Sequence, residues 1–117
     1  MPRLSSPAAF LVVALASACS TTANPTPAPP GARTVEIRVG TEYAPSEITA
    51  SPGEELHLVF TRTTDEGCGQ QLVFPDLHIH RDLPLDERVA VDVTTPASGR
   101  LAFTCGMGMY RGAVVVR

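Results

Sequence analysis

The 117-residue sequence contains no lysine, only three cysteines and only three histidines. The chain has nine arginines and twelve acidic side chains, so its formal net charge is −3. Nucleic acids require a cationic protein surface to meet their phosphates, and this acidic balance therefore argues against nucleic-acid binding. The sequence also lacks Gly-x-Ser-x-Gly, His-Glu-x-x-His and any phosphate-cradling loop. With so few histidines as well, we expect that the protein is not an enzyme.

The N-terminal apolar run is too short to span a bilayer as a permanent helix. It covers residues 8–16, follows a single positive charge at Arg3 and is followed by Ser17-Ala18-Cys19. This order predicts an export signal peptide over residues 1–18. Its small-small-Cys ending resembles the lipobox of bacterial lipoproteins, which implies that Cys19 receives lipid and becomes the mature N-terminus. An ordinary secretory signal that happens to contain a cysteine is the alternative.

The chain is long enough for one domain. Residues 19–33 are rich in proline, alanine and threonine without apolar periodicity, and therefore predict a lipidated, Pro-rich linker that holds the domain off the membrane. The domain itself is predicted over residues 34–117. With its lipid anchor it would lie in the cell envelope, on the outer face of the cytoplasmic membrane or in the periplasm.

Apolar residues alternate with polar ones in several short segments of the domain, and no segment keeps a helical period for three turns. Such alternation is typical of strands with one face towards the core. Together with the Pro- and Gly-rich turns between them, these segments predict an all-β fold, an antiparallel sandwich or small barrel. His57 lies out of phase with its apolar neighbours and is predicted on the solvent face. The alternating positions are 35, 37 and 39; 56, 58 and 60; 89, 91 and 93; 101 and 103; 114 and 116.

Sulfur is concentrated near the C-terminus, in Cys105-Gly-Met107-Gly-Met109, and Cys68 stands upstream between two glycines. Thiolate and thioether are soft ligands that suit Cu(I). Cys105 shares the phase of Phe103, so its sulfur is predicted to turn inward at the rim of the core. If the chain stays extended, Met107 and Met109 continue in that phase. The pattern predicts a Cu(I) site.

Other interpretations of these residues remain open. Cysteine pairs of exported proteins commonly form structural disulfides, so Cys68 and Cys105 are either ligands or a bridge. Met107 and Met109 could serve packing alone. His78 and His80 could share a strand face and bind Zn(II) or Cu(II), although an exposed polar face is the more ordinary explanation.

Residues 34–117 resemble the cupredoxin family, and in particular its cysteine–methionine branch. That branch occurs in membrane-anchored Cu(I) chaperones and in copper-exporting P-type ATPases. The resemblance implies a Greek-key β-sandwich or barrel. It rests on Tyr43-Ala-Pro45-Ser-Glu-Ile48 with Pro52-Gly53, on Cys68 followed by Val73-Phe74-Pro75-Asp76, on Leu83-Pro84, and on Phe103-Thr-Cys105-Gly-Met107-Gly-Met109 with Arg111-Gly112.

The resemblance also implies the ligand set Cys68, Cys105, Met107 and Met109, holding one or two Cu(I) ions. No histidine follows Cys105, and Cys68 stands where the family's earlier histidine would be expected. Such a site holds Cu(I) instead of cycling copper between oxidation states. The implied function is a monomeric copper chaperone or buffer whose partner is a copper-exporting P-type ATPase or another copper-handling protein. The alternatives are a blue-copper-like electron carrier and a structural lipoprotein with a Cys68–Cys105 disulfide.

Overall fold

The computed structural model describes residues 26–117. The predicted signal peptide, Cys19 and the first part of the predicted linker lie outside the described residues. A turn in which the Ala32 N–H donates to the carbonyl of Pro29 leads into the first strand, which begins at Arg33, one residue before the predicted start of the domain. Across residues 26–117 no helix has the length and apolarity to cross a membrane.

Nine strands form two sheets in the described part of the chain, which confirms the all-β prediction. One sheet has the order β2-β1-β4-β7 and the other β3-β9-β8-β5-β6. A single turn of 3-10 helix, Pro75–Leu77, follows β5. The strands are β1 (Arg33–Val39), β2 (Tyr43–Ala44), β3 (Glu47–Ala50), β4 (Glu55–Arg62), β5 (Gln71–Phe74), β6 (Ile79–Asp82), β7 (Arg88–Thr94), β8 (Arg100–Cys105) and β9 (Arg111–Val116).

The sheets are mixed, whereas alternation alone led us to expect antiparallel pairing. β1 runs parallel to β4, and β3 runs parallel to β9; the other strand pairs are antiparallel. Parallel neighbours cannot be joined by a tight hairpin, and here the chain visits other strands before it returns to each partner. Period-two alternation specifies which face of a strand is buried, but it does not specify the neighbour or its direction.

Four aromatic rings fill the space between the sheets. Phe103 lies 5.0 Å from Tyr43 and 5.5 Å from both Phe60 and Phe74, measured between ring centroids. Tyr43 and Phe60 belong to the first sheet, and Phe74 and Phe103 to the second. Tilted and edge-on aromatic pairs of this kind each contribute about 0.5–1.5 kcal/mol beyond the burial of their area. The cluster therefore joins the two sheets.

The prediction that His57 faces solvent is wrong. Its side chain is buried, and its Nδ1 lies 2.5 Å from Oδ1 of Asp92. β4 is an inner strand, and the residues beside His57 are Thr34 on β1 and Asp92 on β7. Side chains of the flanking strands cover this face, and Val59, two residues further along, is also buried. Alternation cannot distinguish an inner strand from an edge strand.

The short strands β2, β3, β5 and β6 were not predicted, because two to four residues carry too little alternation. Nor do His78 and His80 share a strand face. His78 follows the 3-10 turn with a left-handed backbone (φ 52°), and only His80 belongs to β6. Both side chains are exposed, as the polar-face interpretation expected.

Candidate metal centre

The two predicted cysteine ligands meet because of strand pairing. Cys68 lies in the loop between β4 and β5, and Cys105 is the last residue of β8. β5 and β8 are antiparallel neighbours with Leu72 opposite Cys105, so the start of one strand and the end of the other lie at the same end of the sheet. As a result, the Cα atoms of Cys68 and Cys105 are 6.0 Å apart although 37 positions separate them in sequence.

The two sulfurs form a disulfide. Of the two states that the sequence left open, the structure therefore represents the oxidised one. The two cysteines differ in their surroundings: Cys68 keeps 8% of its surface exposed, whereas Cys105 keeps 1%. Burial of Cys105 agrees with the phase of β8, in which Leu101, Phe103 and Cys105 alternate as buried positions.

The loop after Cys105 turns back instead of continuing the strand. The Gly108 N–H donates to the carbonyl of Cys105 over 3.0 Å, and Gly108 has a φ of +72° that favours glycine. The turn brings the N–H groups of Met109 and Tyr110 to 3.2 and 3.3 Å from Sγ of Cys105. The chain is therefore not extended through Met109, and the condition under which Met107 and Met109 would continue the phase of Cys105 is not met. These two donors would stabilise negative charge on Sγ once the disulfide is reduced.

Met107 and Met109 are 81% and 72% exposed, the highest values among the exposed large apolar residues of the described chain. Packing therefore does not explain them. They line an open cleft of about 630 Å³ on the Cys68 side of the disulfide. Cys105, which is buried, is not among the residues that line this cleft. The other side chains of the cleft are Gln70, Gln71, Asp82 and Tyr110.

Tyr110 was missed by the sequence reasoning, yet it contacts the loops of both cysteines. Its hydroxyl oxygen accepts the N–H of Cys68 over 3.1 Å, and its own N–H donates to Sγ of Cys105. Gly67 lies against the phenol with a φ of +81°, so a side chain there would collide with the ring. Tyr110 directly follows the Cys-Gly-Met-Gly-Met run, and this position is the only signal the sequence offers.

Two further residues, Arg62 and Tyr43, contact the chain around the site. The Arg62 guanidinium donates to the carbonyls of Leu83 and Thr64 over 2.7 and 3.3 Å, which ties the start of the Cys68 loop to the chain after β6. The ring of Tyr43 packs edge-on against Tyr110 at 5.9 Å. Burial raises the pKa of Tyr43, and Tyr110 beside it raises it further. Tyr43 therefore stays neutral and acts as packing, not as an anionic ligand.

The predicted ligands at the cleft are sulfur atoms, although Gln70, Gln71 and Asp82 also bring oxygen atoms to its lining. Within residues 26–117 there is no group of three or more His, Cys, Asp or Glu side chains that could hold a metal ion. Hard or borderline ions such as Mg²⁺, Ca²⁺ and Zn²⁺ ordinarily use such groups. A reduced Cys68–Cys105 pair with Met107 and Met109 offers two thiolates and two thioethers, which fit a soft monovalent ion.

Comparison with known proteins supports the fold described above. A family model described as a cupredoxin-like domain matches residues 7–116. The metal-binding domain of the Cu(I)-exporting P-type ATPase CopA of Streptococcus pneumoniae D39, solved with Cu(I), superposes with a TM-score of 0.70 at 26% identity, over 80% of this chain and 93% of that domain. The solution structure of an apo copper-binding protein gives a TM-score of 0.68 at 30% identity, over 80% and 96% of the two chains.

A reduced auracyanin from the photosynthetic bacterium Roseiflexus castenholzii superposes with a TM-score of 0.55 at 19% identity, over 74% of this chain and 99% of that one, and shares the fold alone. A search of curated protein sequences found no significant match.

Proposed function

Since this chain belongs to the family of cupredoxin-like domains, we propose that it is an exported, membrane-tethered Cu(I)-binding protein that acts as a copper chaperone or buffer. In this proposal Cys68, Cys105, Met107 and Met109 hold one or two Cu(I) ions when the cysteines are reduced. The observation that carries the proposal is the cleft in which one cysteine and two exposed methionines converge, with the second cysteine bonded to the first. We also propose that the protein has no catalytic activity.

The relatives support copper as the cargo. One of them is described as a domain of a Cu(I)-exporting P-type ATPase with Cu(I), and the other as a copper-binding protein, at 26% and 30% identity. Likeness to an exporter domain supports a partner of the same kind, a copper-exporting P-type ATPase or another copper-handling protein. We expect the protein to meet this partner as a monomer.

Binding of Cu(I) requires reduction of the disulfide, which takes up two electrons and leaves two thiol groups. Thiolates then supply the charge that the cation needs, and thioethers add only a soft lone pair. A low-coordinate thiolate site lets an incoming sulfur bind before the old one leaves. Transfer by ligand exchange therefore suits an open, sulfur-lined cleft better than a closed structural site.

A tether at the N-terminus would leave the cleft accessible. β1 begins beside the start of β4, with Arg33 opposite Leu56, and β4 runs from there towards the Cys68 loop. The linker therefore enters the sandwich at the end remote from the sulfurs. If residues 1–18 direct export, Cys19 carries lipid and residues 19–33 act as spacer, the cleft points away from the membrane. The location would be the outer face of the cytoplasmic membrane or the periplasm.

One observation favours a second candidate function. The Cys68–Cys105 disulfide would stabilise the small sandwich of a structural lipoprotein in the cell envelope that binds no metal. Blue-copper-like electron transfer has no such support, because no histidine lines the cleft of the described chain. Intense visible absorption of the oxidised copper form would revive that alternative.

The test is native mass spectrometry of the full chain carrying Cys19→Ser, in which Cys68 and Cys105 are the only cysteines. The protein is reduced under anaerobic conditions and titrated with Cu(I), and one or two bound ions are expected. Cys105→Ser should abolish tight binding, whereas Met107→Leu and Met109→Leu should weaken it without unfolding the domain. Leu85→Ala is the matched control, because Leu85 is exposed but lies outside the cleft.

Unchanged Cu(I) affinity in the Cys105→Ser protein would end the copper proposal. A disulfide that resists mild reductant, together with no uptake of Cu(I), would instead establish the structural lipoprotein.

A further inference from the structure

The two sulfurs of the disulfide are chemically unequal in this fold. We propose that low-molecular-weight thiols open the bond by entering the cleft and attacking Sγ of Cys68, so that Cys68 is the site of S-thiolation and Cys105 leaves as the thiolate. The proposal concerns the bond itself and does not depend on whether the reduced site binds copper.

Access favours attack at Cys68. An attacking thiolate must touch the sulfur with which it forms the new bond, so exposure decides which of the two is reached. Cys68 lines the cleft and keeps 8% of its surface exposed, whereas Cys105 keeps 1% and does not line it. The volume of about 630 Å³ lies within the range of pockets that hold small molecules, so a thiol of the size of a tripeptide fits.

Hydrogen bonding favours the departure of Cys105. In thiol–disulfide exchange the bond breaks faster when the leaving sulfur carries negative charge more easily. Sγ of Cys105 accepts N–H groups from Met109 and Tyr110 at 3.2 and 3.3 Å. For Cys68, in contrast, the backbone N–H donates to the Tyr110 hydroxyl, and no group among residues 26–117 donates to its sulfur. The loop is therefore built to stabilise charge on the buried sulfur.

The exchange balances with thiol as the only reductant. A first thiolate attacks Sγ of Cys68, which forms a mixed disulfide there and releases Cys105 as a thiolate. A second thiolate then attacks the sulfur of the bound small molecule, which releases the symmetrical disulfide and leaves Cys68 as a thiolate. Two thiols are oxidised, the protein gains two electrons, and protons from the medium complete the thiol groups.

The structure also suggests which thiols react faster. Asp82 is the charged side chain among the described residues that line the cleft. Its carboxylate should repel an anionic thiol and attract a cationic one, an effect that salt weakens. At equal thiolate concentration, and relative to the rate of each thiol with a small neutral disulfide, cysteamine should therefore open the bond faster than thioglycolate, and Asp82→Asn should reduce the difference.

The direct experiment locates the mixed disulfide. Oxidised full-length protein with Cys19→Ser is treated briefly with glutathione, quenched with N-ethylmaleimide and digested with trypsin. Because the chain has no lysine, trypsin cuts only after arginine and separates residues 63–81, with Cys68, from residues 101–111, with Cys105. We expect glutathione on the first peptide and maleimide on the second. The reverse placement, or an equal mixture, would overturn the proposal.

A second measurement uses single-cysteine proteins. In the Cys19→Ser background, Cys105→Ser leaves only Cys68 and Cys68→Ser leaves only Cys105. With oxidised glutathione and with rates compared at equal thiolate concentration, Cys68 alone should form the mixed disulfide about tenfold faster than Cys105 alone, because access limits the buried sulfur. Equal rates, or a faster Cys105, would contradict the proposal. So would an intact protein whose disulfide no concentration of glutathione opens. Cu(I) uptake is measured separately, on protein that has been chemically reduced beforehand, so the two proposals can fail independently.

Discussion

The two ends of the sandwich are held together in different ways. At the end remote from the cleft, the Thr95 hydroxyl accepts the Glu54 N–H over 2.7 Å and donates to the carbonyl of Ser51 over 2.6 Å. The Glu54 carboxylate accepts the N–H of Ser51 at 2.9 Å and Nε of Arg33 at 3.1 Å. At the other end, a disulfide and the Tyr110 hydroxyl join the loops.

The difference separates permanent structure from reversible chemistry. The remote end depends on hydrogen bonds that form with the fold and need no reagent. At the cleft end, one covalent bond that thiols can break joins the loops, and the side chains of Met107 and Met109 are exposed to solvent. A stable remote end would let the cleft end change its redox state, and in our proposal its metal content, without loss of the fold. Four measurements test this contrast, from the largest expected effect to the smallest.

Reduction of the disulfide should have the largest effect on stability. Closing a loop between cysteines 37 residues apart lowers the entropy of the unfolded chain, which corresponds to about 4 kcal/mol in the chain-entropy model. In the Cys19→Ser protein, reductant should therefore lower the free energy of unfolding measured in urea by about 2–4 kcal/mol. Cu(I) added to the reduced protein should restore part of this loss. The Cys68→Ala/Cys105→Ala protein, the control, should not respond to reductant.

Thr95→Val should weaken the remote end. Thr95 is buried, and valine keeps its shape while leaving the Glu54 N–H without its acceptor, at a cost of about 1–3 kcal/mol in unfolding free energy. Its neighbour Thr94 is exposed, so Thr94→Val should change the stability by less than about 0.5 kcal/mol. The glutathione exchange rate of the disulfide should be the same in both variants. A faster exchange in Thr95→Val would show that the two ends are coupled.

Tyr110→Phe should loosen the cleft end by about 1 kcal/mol, the usual net value of one hydrogen bond. The Cys68 N–H would lose its acceptor, so amide hydrogen exchange at Cys68 should accelerate. Tyr43→Phe is the matched control, because the buried Tyr43 hydroxyl has no hydrogen-bond partner among residues 26–117 and its loss should not destabilise. Equal destabilisation by the two variants would show that the Tyr110 hydroxyl does not hold the loop.

The smallest effect concerns pH and the remote end. Hydrogen bonds from the Ser51 N–H and from Arg33 hold the pKa of Glu54 below its ordinary value. A lowered folded-state pKa means that the stabilisation is complete above the unfolded-state pKa of about 4.3 and is lost as the pH falls through the folded-state value. As the pH falls, the free energy of unfolding should therefore decrease slightly less in Glu54→Gln than in the unchanged protein. An identical decrease in the two proteins would show that Glu54 does not stabilise the remote end.

Much of the fold was predictable because a long strand with one buried face alternates apolar and polar residues with a period of two. The apolar positions of β1, β4 and β8 were recognised in this way, and the burial of Cys105 followed from its phase. His57 was misassigned because this alternation carries no information about the neighbouring strands. The short strands were missed because they carry too few residues to show a period.

The chemistry of the candidate site stays a prediction from the sequence, whereas its geometry could be read only from the structure. The sulfur run and the glycines beside Cys68 pointed to soft-metal ligands, and family resemblance supplied the ligand set. The two N–H groups on Sγ of Cys105 had no sequence signature, and the only sign of the role of Tyr110 was its position directly after the sulfur run. Hydrogen bonds between distant backbone groups depend on where strands end relative to each other.

By itself, the sequence determined an acidic, strand-forming chain in which the sulfur of residues 34–117 lies in two glycine-flanked segments, because residue type and local alternation are properties of the chain alone. Only the tertiary structure decided that these segments meet, that Cys68 lines a cleft, and that the methionines stay in solvent. The physical reason is the antiparallel pairing of β5 with β8, which brings together residues that are distant along the chain.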